Sequence, residues 1–191
     1  MIEAQIEWST LFEMLGITPT GGVGVELGVG EGDTTVSLLS ITRPAKLHLV
    51  DYWTSQEWAA YPDSYNVDQQ GQDARLHKVL DRFEDEISSG VVEVRKTMTV
   101  DAARDFDDEC FDWIYLDANH SYPAVLTDLQ TYYPKLKRGG LLFAHDYCRG
   151  LEYFGVMQAV SEFISTYPDM MLLGKSGESF PAAAMMKEPG A

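Results

Sequence analysis

The sequence predicts an α/β fold, a parallel sheet covered by helices, and three observations carry that reading. Short β-rich apolar runs alternate with longer stretches of helical periodicity. The gaps between the first five runs leave room for crossover helices, which parallel pairing requires. A glycine-rich segment closes the first run, as in nucleotide-binding loops. The 191 residues are 45% hydrophobic and 23% charged, globular values that exclude a disordered, collagenous or coiled-coil chain. No linker divides them, so 1–191 reads as a single domain in which 1–20 form a covering helix and lead-in.

In chain order, Leu11, Phe12, Met14 and Leu15, ended by Gly16, mark the covering helix. Val23 to Leu27 is the first strand and opens through the glycines into a helix; Leu47 to Val50 is the second strand. Leu76, Val79, Leu80, Phe83 and Ile87 recur on one helical face, with Gly90 as a stop signal. Strands follow at Val91 to Val94 and Trp113 to Leu116. Pro123 in a first turn, then Val125, Leu126 and Leu129, marks another helix before the fifth strand, Leu141 to Ala144. Val156, Ala159, Val160, Phe163 and Ile164 form one more, closed by Tyr167-Pro168. Met170 to Leu173 and Ala182 to Met186, joined through Gly174 to Gly177, predict an antiparallel hairpin at the sheet edge.

Charge narrows the partners. Fourteen Lys and Arg against thirty Asp and Glu leave a formal charge of −16, which repels phosphate backbones and anionic headgroups, so neither nucleic acid nor membrane is expected. No apolar run approaches the roughly 18 to 20 residues of a membrane span, and the opening residues lack the pattern of a secretory signal. Cys110 and Cys148 have no metal-binding spacing and read as small hydrophobes in a reducing compartment. The expectation is a soluble cytoplasmic protein, alone or as a homo-oligomer.

The chemistry concentrates at strand ends. Glu26 begins Glu-Leu-Gly-Val-Gly-Glu-Gly-Asp, where Gly28, Gly30 and Gly32 let the backbone turn sharply and approach a ligand. The third glycine comes one residue early for a nicotinamide-dinucleotide fingerprint, and Glu31 and Asp33 would repel a pyrophosphate. No Gly-Lys-Ser/Thr follows, which excludes a P-loop. Asp51, at the end of the second strand, is placed to accept both hydroxyls of a ribose. Trp53, Trp58, Tyr61 and Tyr65 crowd the irregular stretch beyond it, either as a lid with apolar contacts for a substrate or as packing on the flank.

Two further segments complete a pattern with Glu26-x-Gly28-x-Gly30-x-Gly32 and Asp51. Phe111 to Tyr122 reads Phe-Asp-Trp-Ile-Tyr-Leu-Asp-Ala-Asn-His-Ser-Tyr, and Gly139 to Tyr147 reads Gly-Gly-Leu-Leu-Phe-Ala-His-Asp-Tyr. Over roughly 20–187 the chain resembles the class I S-adenosylmethionine-dependent methyltransferases, and within them small bacterial O-methyltransferase domains similar to macrocin O-methyltransferase. The resemblance implies a Rossmann-like seven-stranded sheet of order 3-2-1-4-5-7-6, last strand antiparallel, with helices on both faces. It implies S-adenosylmethionine as cofactor. Glu26, Gly28, Gly30 and Gly32 would border its methionine and ribose, Asp51 would hold the ribose hydroxyls, and Trp53 would cover the adenine. Met98 and Thr99 would line the adenine's other side, although Thr97-Met98-Thr99 departs from the small or acidic residues often found there.

Asp117 and Asp146 each follow a strand, and the implied order makes those strands neighbours. They either share a divalent cation such as Mg²⁺ or divide the work, Asp117 meeting the cofactor's amino group and Asp146 capping a loop. His145-Asp146 stands where related metal-dependent enzymes carry Asp-Asn or Asp-Asp. His120 lies three residues past Asp117, as a general base or a turn-holding residue. His145 is the second candidate base, although it and Asp146 cannot both face one site unless the strand has ended between them. His48 and His77 read as structural or surface residues. The leading expectation is O-methylation of a small-molecule substrate. The alternatives are a nicotinamide-dependent oxidoreductase and a non-catalytic cofactor-binding module.

Overall fold

A computed structural model describes residues 20–59, 61–149 and 153–190, so the covering helix expected around Leu11 to Leu15 lies outside the described residues. Seven strands form one sheet of order β3-β2-β1-β4-β5-β7-β6: β1 (Val23–Leu27), β2 (Lys46–Asp51), β3 (Val92–Lys96), β4 (Phe111–Leu116), β5 (Leu136–Ala144), β6 (Met170–Lys175) and β7 (Ala183–Lys187). The first five strands pair in parallel, while β7 runs antiparallel to both β5 and β6. This is the expected order, with the expected antiparallel edge.

Alternation along the strands sends neighbouring side chains to opposite faces. Val25, Leu27, Ile114, Leu116, Leu142 and Ala144 pack one way, against α4 (Thr99–Ala102), α5 (Tyr122–Tyr132) and α6 (Val156–Thr166). Leu47, Leu49, Trp113, Tyr115 and Phe143 pack the other way, with Leu38 of α1 (Asp33–Thr42) and Val79 of α2 (Gln69–Arg82). Helices therefore cover both faces. Among the described residues no helix is long and apolar enough to cross a membrane.

Three details depart from the sequence pattern. The helix expected through Ile87 breaks at Phe83, where φ −113° and ψ 25° leave the helical region, and resumes as α3 (Glu84–Ser88). The Phe83 ring there turns inward beside Gly32, on which a Cβ would stand 2.6 Å from Phe83 Cε2. Strand β5 begins at Leu136, five residues before its apolar run, because Gly139 and Gly140 interrupt the hydrophobic signal but not the pairing that starts at Phe111 and Leu136. Helix α4 has four residues, too few to show a period.

Candidate active site

The C-terminal ends of the parallel strands open into a cavity of about 840 Å³, a volume suited to a cofactor-sized ligand. The glycine loop forms one wall. Gly28, Gly30 and Gly32 all have positive φ, of 87°, 57° and 80°. At Gly28 the requirement is also steric, since a Cβ would fall 2.0 Å from the Asp117 carbonyl oxygen. That crossing is fixed by hydrogen bonds from Gly28 N–H to Val50 O (2.9 Å) and from Asp117 N–H to Leu27 O (2.7 Å). The loop is thus threaded between the ends of β2 and β4.

Asp51 anchors the same loop. Its Oδ2 accepts hydrogen bonds from the Val29 and Gly30 backbone N–H groups at 2.8 and 2.9 Å, and its Oδ1 accepts one from Trp53 N–H at 3.0 Å. Trp53 is 1% exposed and donates from Nε1 to the Gly30 carbonyl at 2.9 Å, with an uncommon φ of +39°. Its ring braces the loop from within the core. Glu26 lies beneath the loop, fully buried and outside the cavity lining, with Oε2 accepting from Thr35 Oγ1 at 2.6 Å and Oε1 unpartnered. Burial therefore holds its carboxyl well above the usual range, with Asp117 and Asp51 adding to the effect and the Thr35 bond opposing it. Gly32 shapes the start of α1 and does not line the cavity.

Met98 and Thr99 line the opposite end, where Met98 is 39% exposed. Beside them the structure adds Asp128 of α5, a residue sequence reasoning missed. It is 4% exposed and accepts from Thr99 Oγ1 at 2.6 Å. Burial lifts its carboxyl to about 6 against the partial relief of that hydrogen bond. A carboxylate in the middle of an amphipathic helix gives no motif by which to find it.

The third region gathers two imidazoles and three carboxylates. His120 Nε2 stands 3.3 Å from Asp117 Oδ1 and 3.0 Å from Asp146 Oδ2, while His120 Nδ1 stands 3.3 Å from Oδ2 of Asp63. His145 Nδ1 lies 3.2 Å from Asp117 Oδ1 and 3.3 Å from Asp146 Oδ1. Neither of those approaches is aligned as a hydrogen bond, so the buried nitrogen is left without one. Strand β5 ends at Ala144, and Asp146 takes a left-handed φ of +58°. This break in strand geometry is what lets His145 and Asp146 face the same point.

Burial alone would lower both imidazoles, but the surrounding carboxylates outweigh it and hold His120 up to about 11 and His145 up to about 10. Burial likewise opposes ionisation of Asp117 and Asp146, yet contact with the imidazoles keeps both below the ordinary carboxylate range. One ligand atom from each of Asp117, His120 and Asp146 lies within 4.8 Å of the others. Bonds of about 2.0–2.1 Å place neighbouring ligands of an octahedral ion about 3 Å apart, close to the 3.3 and 3.0 Å from His120 Nε2 to Asp117 and Asp146. Two carboxylates and an imidazole make a donor set that fits a divalent cation. The Phe154 ring, 4.5 Å from that of His120, and the side chains of Tyr153 and Phe180 give the adjoining wall an apolar character.

This sheet order, with a glycine loop and an anchoring aspartate at a cavity above the strand ends, is the fold of the class I S-adenosylmethionine-dependent methyltransferases. The family model described as a methyltransferase domain matches residues 25–147, and the chain belongs to that family. A search of curated proteins gave no match. Among solved structures, the chain is similar to a candidate rRNA methylase from Clostridium thermocellum at TM-score 0.69 and 12% identity, covering 98% of this chain and 99% of that one. It is similar also to a candidate methyltransferase from Streptococcus mutans in complex with SAH, at TM-score 0.65 and 16% identity over 98% and 99% of the two chains. An rRNA methylase from Streptococcus thermophilus gives TM-score 0.63 at 16% identity over 100% and 99%. At these identities the likeness is one of fold.

Proposed function

We propose that the protein transfers the methyl group of S-adenosylmethionine to a hydroxyl oxygen of a small acceptor held beside a divalent cation, Mg²⁺ or Mn²⁺. The observation that carries this reading is the group Asp117, His120 and Asp146, gathered within 4.8 Å at one end of the cofactor cavity. Such a donor set is consistent with the small bacterial O-methyltransferase type that the sequence resembles.

Each wall of the cavity then has a task. The loop through Gly28 and Gly30 receives the methionine and ribose portion, and Asp51 fixes that loop while offering its remaining lone pairs to the ribose hydroxyls. Asp128 faces the adenine end, where Met98 and Thr99 form the wall, and accepts from the exocyclic amino group. Asp117, Asp146 and His120 Nε2 would hold the cation, which when bound would lower the pKa of the acceptor hydroxyl. His145 Nδ1 faces the same carboxylates, and its neutral form would take up the hydroxyl proton; because Asp117 and Asp146 hold it protonated up to about 10, that form requires their charge to be neutralised. The acceptor oxygen's lone pair forms the new bond to the methyl carbon as the carbon–sulfur bond breaks, leaving S-adenosylhomocysteine. Positioning these atoms in line is the larger part of catalysis, since orientation alone supplies effective molarities on the order of 10⁵–10⁸ M.

An rRNA acceptor is the rival reading, raised by the similarity to proteins described as rRNA methylases. The electrostatics favour a small acceptor. Glu31, Asp33, Asp63, Asp128 and Asp146 line the cavity, and Arg75 is the single Lys or Arg among the described lining residues. The test supplies methyl-labelled S-adenosylmethionine with rRNA or with a panel of small hydroxylated aromatics, before and after exhaustive chelation. The expected result is label in the small-molecule pool, lost with chelator and restored by Mg²⁺ or Mn²⁺. Label in RNA, or turnover indifferent to chelation, would overturn the corresponding half of the proposal.

A further inference from the structure

The cation site draws on a segment that carries none of its ligands. Between β2 and α2 the chain leaves the sheet, and Asp63 in this stretch is 4% exposed although it belongs to no helix or strand. Its two oxygens face different ways. Oδ1 accepts from Tyr65 N–H at 2.9 Å and from Ser64 Oγ at 3.4 Å, while Oδ2 stands 3.3 Å from His120 Nδ1. The backbone carbonyl of Asp63 accepts from Asn66 N–H at 2.9 Å, and Asn66 in turn bonds Gln56, donating from Nδ2 to its carbonyl at 2.9 Å and accepting from its N–H at 2.9 Å. The segment is an internally bonded unit whose deepest carboxylate reaches the imidazole 57 residues away.

A carboxylate only accepts, so the nitrogen facing Asp63 carries a hydrogen. Without a cation, Nε2, facing Asp117 and Asp146, carries a hydrogen as well; a cation held by those two carboxylates would displace that hydrogen, and the one kept on Nδ1 by Asp63 would leave the Nε2 lone pair for the ion. Metal-ligating histidines are ordinarily oriented in this manner by a carboxylate or carbonyl on their other nitrogen.

We propose that Asp63 is a positioning residue that fixes the tautomer and rotation of His120 so that Nε2 addresses the cation, and thereby couples docking of the 52–67 segment to cation binding. The proposal rests on the reading of Asp117, His120 and Asp146 as cation ligands. It assigns the aromatic-rich segment a second role besides walling the cavity: the site is complete when Asp63 is seated. By linkage, a cation that favours the seated state must also hold the segment in place.

Asp63→Asn tests this sharply. Tyr65 N–H continues to select the amide oxygen, so the amide nitrogen faces His120 Nδ1 and donates to it. The imidazole is then driven to the opposite tautomer, with a hydrogen on Nε2 where the lone pair was needed. Titration calorimetry with Mg²⁺ and Mn²⁺ is expected to show a loss of about 10- to 100-fold in affinity. Nitrogen-15 spectra of the His120 ring in the presence of Mg²⁺ are expected to place the hydrogen on Nδ1 in the wild type and on Nε2 in the variant, a change that loosened packing alone would not produce. In the wild type, amide exchange across 52–67 is expected to slow when Mg²⁺ is added, a readout that does not depend on the variant folding. If the wild type binds either cation and Asp63→Asn binds it within twofold, or if exchange across 52–67 is indifferent to the cation, the positioning role is wrong while the cation site stands. If the wild type binds neither cation, the cation reading falls and this inference falls with it.

Discussion

Replacing Asp128 by Asn separates stability from binding. The Asp128 carboxyl is 4% exposed, and its single hydrogen bond among the described residues comes from Thr99 Oγ1. Burial raises it from 3.8 to about 6, a shift of about two units at about 1.4 kcal/mol each, or about 3 kcal/mol. The sign follows from proton binding. Below pH 3.8 the carboxyl is neutral folded or unfolded, and above pH 6 the folded protein carries the whole cost of a buried charge. Asparagine keeps the shape and an oxygen for Thr99 but has no charge to bury. At pH 8 the variant is therefore expected to be more stable by about 3 kcal/mol, or roughly 6–12 °C in Tm for a chain of this size, and at pH 5 by about half as much. The Thr99 hydroxyl can donate to the amide oxygen or accept from the amide nitrogen, so this variant still offers an acceptor to the adenine end; binding is read instead with Asp128→Ala, which offers none. Affinity of Asp128→Ala for S-adenosylhomocysteine is then expected to fall about 10- to 100-fold, the cost of leaving the cofactor's amino group unpaired. Thermal denaturation of Asp128→Asn at both pH values, paired with calorimetry on Asp128→Ala, reads both effects. A stability change of the same size at pH 5 and pH 8, or a destabilised Asn variant at pH 8, would refute the electrostatic argument; unchanged affinity of Asp128→Ala would remove Asp128 from the adenine site.

Three other outcomes follow from the same geometry. Asp51→Asn sets an amide nitrogen against a backbone N–H whichever way it turns, that of Trp53 or those of Val29 and Gly30, so calorimetry is expected to show at least about tenfold weaker binding of S-adenosylhomocysteine; wild-type affinity would mean that the loop holds without this anchor. His145→Ala is expected to lower kcat by about 10²- to 10⁴-fold while S-adenosylmethionine affinity moves only a few-fold, and joint loss of affinity and thermal stability would instead mark a structural residue. His48, packed edge-on against Phe106 and Phe111, is lowered to about 4 chiefly by burial. The folded state thus binds fewer protons than the unfolded one, and stability drains away by about 3 kcal/mol as pH falls from 6.5 toward 4. His48→Gln is expected to flatten that part of the acid limb in urea titrations, and identical limbs would exclude the histidine as its source.

The sheet was legible because each strand end carries its own chemical mark. Val23 to Leu27 is apolar and then turns to glycine, Leu47 to Val50 ends on Asp51, and Trp113 to Leu116 ends on Asp117, so local pattern and ligand-bearing edge coincide. Where the mark is absent the boundary was lost, as at Leu136, hidden behind Gly139 and Gly140, and at Phe83, where tertiary packing against Gly32 overrides a continuous helical period. The site divides along the same line. Residues at strand ends could be found one at a time, whereas Asp63 and Asp128 act through partners 57 and 29 positions away, on an irregular segment and a helix, and no local spacing announces them. His145 and Asp146 show why even a found pair needs coordinates. Strand alternation alone sends them to opposite faces, and it is the left-handed turn at Asp146, a conformation Asp tolerates better than most residues, that brings both to Asp117. A residue able to adopt that turn and also to act as a ligand is what this position demands. A substitution there that preserves charge but not the turn, Asp146→Glu, would move the carboxylate off the cluster even though its chemistry is unchanged.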